Sequence, residues 1–241
     1  MAFLPVEPLT LTGGCFCTAI RYTISVPPLT SRPVVPGALP TPISSNHSHP
    51  HPTAVETRLP LIDLDHCNSC RRACGGLIQC WFICPQNWVQ FTLETREATS
   101  AGPCSEKTPE QETYSVPVLF PSTPSVVATP PPHLTTSTYL SHFASSPGIC
   151  RSFCSHCGTG IAWCNTRDRG PEWTLGEIVD IAVGTLDRES LEKVRPDRHG
   201  WWADGVGWIR ELVTEGDGGL VRHPGGSVRV EVEVEREGVS G

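Results

Sequence analysis

Alternating apolar and polar positions predict β-strands along most of the N-terminal half of the chain. Residues 9–26 mix Thr, Ile, Tyr and Val behind a Gly-Gly pair, a pattern that predicts a β-hairpin carrying two cysteines. Residues 77–85 are almost wholly apolar between Gly-Gly and Pro, which predicts a strand buried on both faces. Residues 88–94 alternate strictly and predict a half-exposed strand.

The C-terminal half shows the same periodicities. Residues 149–165 predict a strand, a cysteine-containing turn and a second strand, and residues 177–187 have strand composition. Residues 190–196 predict at most one helical turn, and the alternating valines within the tail 223–241 predict either a terminal strand or a frayed end. The sequence shows no long amphipathic helix and no repeat, so the predicted fold is mostly β with few short helices.

Two segments rich in Pro, Ser and Thr interrupt this pattern, at residues 27–60 and 97–135. Such composition buries little apolar surface, so both are predicted to be low-complexity insertions. The remaining segments, about residues 10–26, 61–95 and 136–215, form the predicted core of a single domain over residues 1–241.

Charge and hydropathy narrow the function classes. The net charge of −7 argues against a nucleic-acid partner, because such partners require an excess of Lys and Arg. No run of 18 apolar residues and no basic, apolar leader is present, so we expect a soluble, cytoplasmic protein without a membrane partner, although the nucleus is also compatible. Thiols stay reduced there, so the 12 cysteines are better interpreted as metal ligands and buried thiols than as disulfides.

Four cysteines form a predicted structural zinc site. Cys154 and Cys157 lie in a CxxC motif followed by glycine, the usual knuckle in which two thiolates reach one ion. Cys15 and Cys17 form a CxC motif, and on an extended strand both sulfurs point to the same side. The two pairs together supply the four thiolates that a closed zinc site requires.

A second CxxC motif, Cys67 and Cys70, lacks a distant partner pair unless Cys74 or the pair Cys80 and Cys84 completes it. A zinc ion held by fewer than four protein ligands keeps an open position, which is typical of a catalytic site. Cys80 and Cys84 share one face of an apolar strand, where core packing is the better interpretation.

The motifs GGCFCTAIRY, HCNSCRR with Gly-Gly after it, RSFCSHCGTGI and VGTLD together resemble the family of glutathione-dependent formaldehyde-activating enzymes, which includes the centromere protein V-like proteins. The resemblance covers roughly residues 10–26, 61–95 and 136–210, in the family's order. It implies a mostly β, Mss4-like fold with zinc knuckles, and makes the two low-complexity segments insertions.

The resemblance also implies two zinc ions, one structural and one catalytic. The structural ion would be held by Cys15, Cys17, Cys154 and Cys157, in agreement with the pairing above. The family's catalytic zinc uses Cys-x-Cys-x-x-Cys, and here Asp65 replaces the first cysteine before Cys67 and Cys70. A carboxylate can ligate zinc, but His66 and Cys74 remain alternatives for the third ligand.

The implied activity is that of a carbon–sulfur lyase, similar to S-(hydroxymethyl)glutathione synthase. A small-molecule thiol, glutathione or a similar one, would add to formaldehyde or another small aldehyde, or be removed from the adduct. Cys67, Cys70 and Asp65 would form the catalytic site, and Arg71 or Arg72 would pair with a substrate carboxylate. The alternative is a non-catalytic binding module that keeps only the structural zinc, and neither the substrate pair nor the oligomeric state follows from the sequence.

Overall fold

The computed structural model describes residues 4–38, 41–42, 54–96, 117–168, 170 and 173–218. The predicted tail 223–241 and part of each predicted insertion, residues 43–53 and 97–116, lie outside the described residues. The chain divides into two compact units, Met1–Asp204 and Gly205–Gly241. The prediction of one domain over residues 1–241 therefore stays a prediction.

Short strands dominate the described chain, which confirms the mostly β class. The strands are β1 (Leu9–Gly14), β2 (Ile20–Val26), β3 (Thr41–Pro42), β4 (Ala54–Val55), β5 (Leu61–Asp65), β6 (Gln79–Pro85), β7 (Val89–Glu94), β8 (Val118–Leu119), β9 (Leu140–Ser146), β10 (Ile149–Cys154), β11 (Gly160–Asn165), β12 (Ile178–Ala182) and β13 (Arg198–Gly200). The helices are α1 (Asn68–Cys74), α2 (Thr123–Val127), α3 (Pro132–Ser137), α4 (Arg188–Leu191) and, in the second unit, α5 (Gly207–Thr214).

Two larger sheets form the body of the first unit. One has the order β1-β2-β7-β8, and the other has the order β13-β5-β6-β12-β11-β10-β9, while β3 and β4 form a separate ribbon. Neighbouring strands are antiparallel except β13 and β5, which are parallel. The predicted hairpin of residues 9–26 is confirmed, with Leu9 opposite Val26 and Gly14 opposite Arg21.

The two faces of the seven-stranded sheet have different environments. Cross-strand register aligns Ile62, Phe82, Ile181 and Ala162 on one face, and these residues share a buried cluster with the four-stranded sheet. The opposite face carries a smaller cluster in which Cys70 of α1 packs with Trp81 and Ala182, next to Trp163. This second face, covered by α1, holds the site with the incomplete ligand set.

The strand predictions agree with the structure apart from their ends. β6 and β7 fall within the predicted segments, and β10 and β11 flank the cysteine turn as expected. β12 is shorter than residues 177–187, because the chain turns into a 3-10 helix at Val183–Thr185.

Part of the predicted second insertion contributes to the core. α2 lies in this segment, and its Val126 and Val127 are 0% exposed within the main cluster. The composition of the segment, rich in Pro, Ser and Thr, hides these two apolar residues, because the average falls while the local pair still suffices to anchor one helical turn. Among the described helices, none is both long and apolar enough to cross a membrane.

Candidate metal centres

The first candidate centre joins the N-terminal hairpin to the β10–β11 turn. Cys15 follows β1, and Cys17 lies two residues later in the turn before β2. Cys154 ends β10, and Cys157 lies in the turn that Gly158 completes with φ +78°. The four Sγ atoms all lie within 4.8 Å of one another, so these cysteines could hold a metal ion.

The electrostatics of the first centre favour a shared negative charge. The pKa of Cys154 is lowered to about 5, first by the hydrogen bond with the Cys15 side chain and then by backbone N–H groups of Cys157 and His156. The pKa of Cys15 is raised, first by that same contact and then by burial. One sulfur therefore holds a thiolate easily while its neighbour stays protonated, and a cation among them would favour thiolates at both.

The second candidate centre lies where β5 passes into α1. Asp65 is the last residue of β5, Cys67 is the N-cap of α1, and Cys70 lies in the first turn of that helix. One ligand atom from each lies within 4.8 Å of the other two, so this group could also hold a metal ion. Asp65 and Cys70 are buried and Cys67 is partly buried, which places the cluster below the surface.

Both oxygens of the Asp65 carboxylate accept hydrogen bonds from the protein. Oδ1 accepts the backbone N–H of Cys67 at 2.8 Å, and Oδ2 accepts the indole Nε1–H of Trp81 at 3.0 Å. Each carboxylate oxygen has two acceptor positions, so these bonds orient the group and leave capacity for a cation.

The two alternatives for the third ligand lie outside this group. The Nε2 atom of His66 is 3.0 Å from Nδ1 of His199, and its ring meets Trp202 edge-on. Cys74 is exposed, and its Sγ lies 3.4 Å from the carbonyl oxygen of Arg71. Asp65 is thus the residue that the fold places beside Cys67 and Cys70, while its role as a ligand stays a prediction.

The predicted substrate-binding arginines lie on α1. Arg71 donates from Nη2 to the side-chain oxygen of Asn68 at 2.8 Å and is partly exposed, whereas Arg72 is exposed. Their pairing with a substrate carboxylate stays a prediction.

Sequence reasoning missed Arg151, which lies beside the second centre. Arg151 is 7% exposed in β10, and its Nη2 donates to Sγ of Cys70 at 3.3 Å while its Nε donates to Oγ of Ser145 at 3.1 Å. Burial raises the pKa of Cys70 to about 12, with Arg151 opposing this rise and Asp65 adding to it. The signal in the sequence was a lone arginine inside the strand pattern ICRSFC, a place where a cation needs a partner.

Cys80 and Cys84 do not join either centre. Cys84 is fully buried in the main cluster, and Cys80 is partly buried beside it, in agreement with a packing role. Burial raises the pKa of both thiols, which keeps them protonated.

Comparison with known proteins does not identify the chain. A scan against protein-family models finds no match, and a search of the curated proteins finds none. The family resemblance therefore depends on the cysteine motifs and on the side chains that the fold brings together.

Proposed function

We propose that the protein is a zinc-dependent carbon–sulfur lyase of the formaldehyde-activating type, with an Mss4-like fold. The observation that carries this proposal is the contrast between the two centres. One offers four thiols to an ion, whereas the other offers one carboxylate and two thiols. Four ligands satisfy zinc in a structural site, and three leave a position for a reactant.

The proposed reaction joins a thiol to a small aldehyde and needs no further reactant. The sulfur forms a bond to the carbonyl carbon, the π electron pair of the C=O bond moves to oxygen, and the thiol proton ends on that oxygen. The product is a hemithioacetal, and the reverse reaction releases both molecules. Glutathione and formaldehyde are the substrates that the family resemblance suggests.

Each residue of the second centre has a role in this proposal. Asp65, Cys67 and Cys70 would hold the zinc, which when bound favours the thiolate form of an incoming thiol or polarises the aldehyde oxygen. Trp81 fixes the Asp65 carboxylate by its hydrogen bond at 3.0 Å. Cys67, Ile83 and Trp163 are partly buried around the cluster and limit the access of water. Arg71 would pair with a carboxylate of the thiol substrate.

Exchange NMR tests the proposal directly. Glutathione and ¹³C-labelled formaldehyde equilibrate with their adduct without a catalyst, so the measured quantity is the increase in exchange rate that the protein adds. We expect wild type to accelerate the exchange and Cys67→Ala to abolish this acceleration. Cys74→Ala is the matched control, since Cys74 is exposed on the same helix and lies outside the metal-binding group. Equal exchange rates with wild type and without protein would refute the lyase.

A second candidate is a binding module that keeps only the structural zinc. The hydrogen bond from the Cys67 backbone N–H to Asp65 favours this candidate, because an Asp that caps a turn before a helix needs no metal to explain it. Such a protein would bind one zinc per chain and leave the exchange unchanged.

A further inference from the structure

Arg151 reaches the second centre from a strand distant in sequence, and no part of the proposed reaction yet uses it. Cross-strand register places Arg151 opposite Trp163, Trp163 opposite Asp180, and Asp180 opposite Ile83. Side chains of directly opposed residues share one face of a sheet, so Arg151 projects from the face that α1 covers. Its Nη2 atom lies 3.3 Å from Sγ of Cys70.

The ligand set explains why a cation would matter at this position. A carboxylate and two thiolates carry three negative charges, and a divalent ion cancels only two of them. The loaded centre is then an anion, which repels a further thiolate. A buried guanidinium, which stays charged at all ordinary pH values, restores neutrality before the thiolate arrives.

The surroundings strengthen this effect. Arg151 is 7% exposed, and Cys70 packs with Trp81 and Ala182 in a small apolar cluster. Charges in such surroundings are screened much less than charges at the surface. The bond from Nε to Ser145 at 3.1 Å holds the guanidinium in place from its other side.

We propose that Arg151 is a positioning residue whose charge makes the Asp65–Cys67–Cys70 centre select an anionic sulfur ligand over a neutral one. This inference rests on the proposed function, because it assumes a metal in that centre. Arg151 touches Cys70 rather than the reactants, so it acts through the charge of the loaded centre.

Cobalt(II) in place of zinc provides a readout that does not depend on turnover, since a sulfur ligand changes its absorption. We would titrate the cobalt-loaded protein with 2-mercaptoethanol, whose only ionisable group near neutral pH is the thiol, and with imidazole as the neutral ligand. In Arg151→Met we expect roughly 10- to 100-fold weaker binding of 2-mercaptoethanol with little change for imidazole. Arg151→Lys, which keeps the charge, should recover most of the affinity for the thiol.

Ser145→Ala is the matched control, because it removes the other hydrogen bond of Arg151 and keeps the charge, and it should behave as wild type. Unchanged affinity of Arg151→Met for 2-mercaptoethanol would overturn the inference. If Arg151→Met fails to take up the second cobalt, retention by Arg151→Lys supports the role of charge, and loss in both overturns it in favour of packing. One cobalt per wild-type chain would refute the proposed function together with this inference, whereas two cobalts with an unaffected Arg151→Met refute the inference alone.

Discussion

At the residue scale, the Asp65 carboxylate connects the end of β5, the start of α1 and the neighbouring strand β6. It accepts the N–H of Cys67 on one oxygen and the indole N–H of Trp81 on the other. The sequence alone predicted Asp65 as a substitute for cysteine at a ligand position. Its hydrogen bonds add that the carboxylate is held in one orientation before any ion binds, which lowers the cost of ordering it.

Trp81→Phe tests this orientation. The substitution removes the donor to Oδ2 of Asp65 and keeps most of the aromatic volume. We expect the metal affinity of the second centre to fall by about 10- to 100-fold, while that of the four-cysteine centre stays unchanged. Competitive titration with a chromophoric chelator measures both affinities. Trp163→Phe, in the same cluster on β11, is the control, and an equal loss in both variants would contradict the role of the hydrogen bond.

The ion pair of Arg21 with Asp187 gives a second residue-scale test. Arg21 Nη1 donates to Oδ1 of Asp187 at 2.9 Å, Thr12 also donates to Asp187, and the pKa of Asp187 is lowered from 3.8, mainly by Arg21. Both side chains are 38% exposed, so solvent screening limits the contribution to about 1 kcal/mol. Asp187→Asn should lower the free energy of unfolding at pH 7 by about this amount, as measured in urea.

The sign of the pH dependence follows from the direction of this pKa shift. A carboxyl with a lowered pKa in the folded state stabilises the fold above its unfolded pKa, and loses this contribution as pH falls through the folded value. The difference in unfolding free energy between wild type and Asp187→Asn should therefore be constant near neutral pH and shrink only below about pH 4. A difference that is already lost by pH 6 would contradict the assignment.

At the element scale, α2 shows how a segment of loop-like composition can belong to the core. Val126 and Val127 are 0% exposed, and Thr123 donates its hydroxyl to the carbonyl of Val89 on β7. The chain outside this helix turn supplies the prolines and hydroxyl residues that dominated the prediction. Strands with clear periodicity were predictable, whereas a five-residue helix held by tertiary contacts was not, because its own pattern is too short to detect.

Val126→Ala tests the contribution of α2. Removing two buried methyl groups should lower the unfolding free energy by about 2 kcal/mol. Val118→Ala on β8 is the matched control, because Val118 is 40% exposed and its truncation should cost less than about 0.5 kcal/mol. Equal losses in the two variants, measured by denaturant unfolding, would show that α2 does not pack as described.

At the scale of the whole molecule, the four-cysteine centre fastens segments that are more than 130 residues apart, with Cys17 Sγ 3.6 Å from Cys154 Sγ. The sequence predicted this pairing well, since each motif needs a partner and the motifs are short. Arg151 escaped prediction because its partner, Cys70, lies 81 residues away and is brought near only by the order of the strands. Ligands grouped by local spacing were visible in the sequence, and a counter-charge set by topology was not.

Removal of the metal from the first centre should destabilise the fold more than any loss at the second. We expect Cys157→Ser to lower the melting temperature by more than about 10 °C, because a structural ion links folding to binding. Cys74→Ser, at an exposed cysteine outside both centres, should change it by about 1 °C or less. Thermal unfolding followed by circular dichroism measures both shifts, and similar melting temperatures for the two variants would contradict a structural role.

The measurement that tests the central claim most directly is zinc per chain, determined by elemental analysis on protein purified without added metal. We predict two zinc ions in wild type and in Cys74→Ala, and one in Cys67→Ala, with the remaining ion in the four-cysteine centre. One zinc in all three proteins would contradict a second metal centre, and with it the proposed lyase.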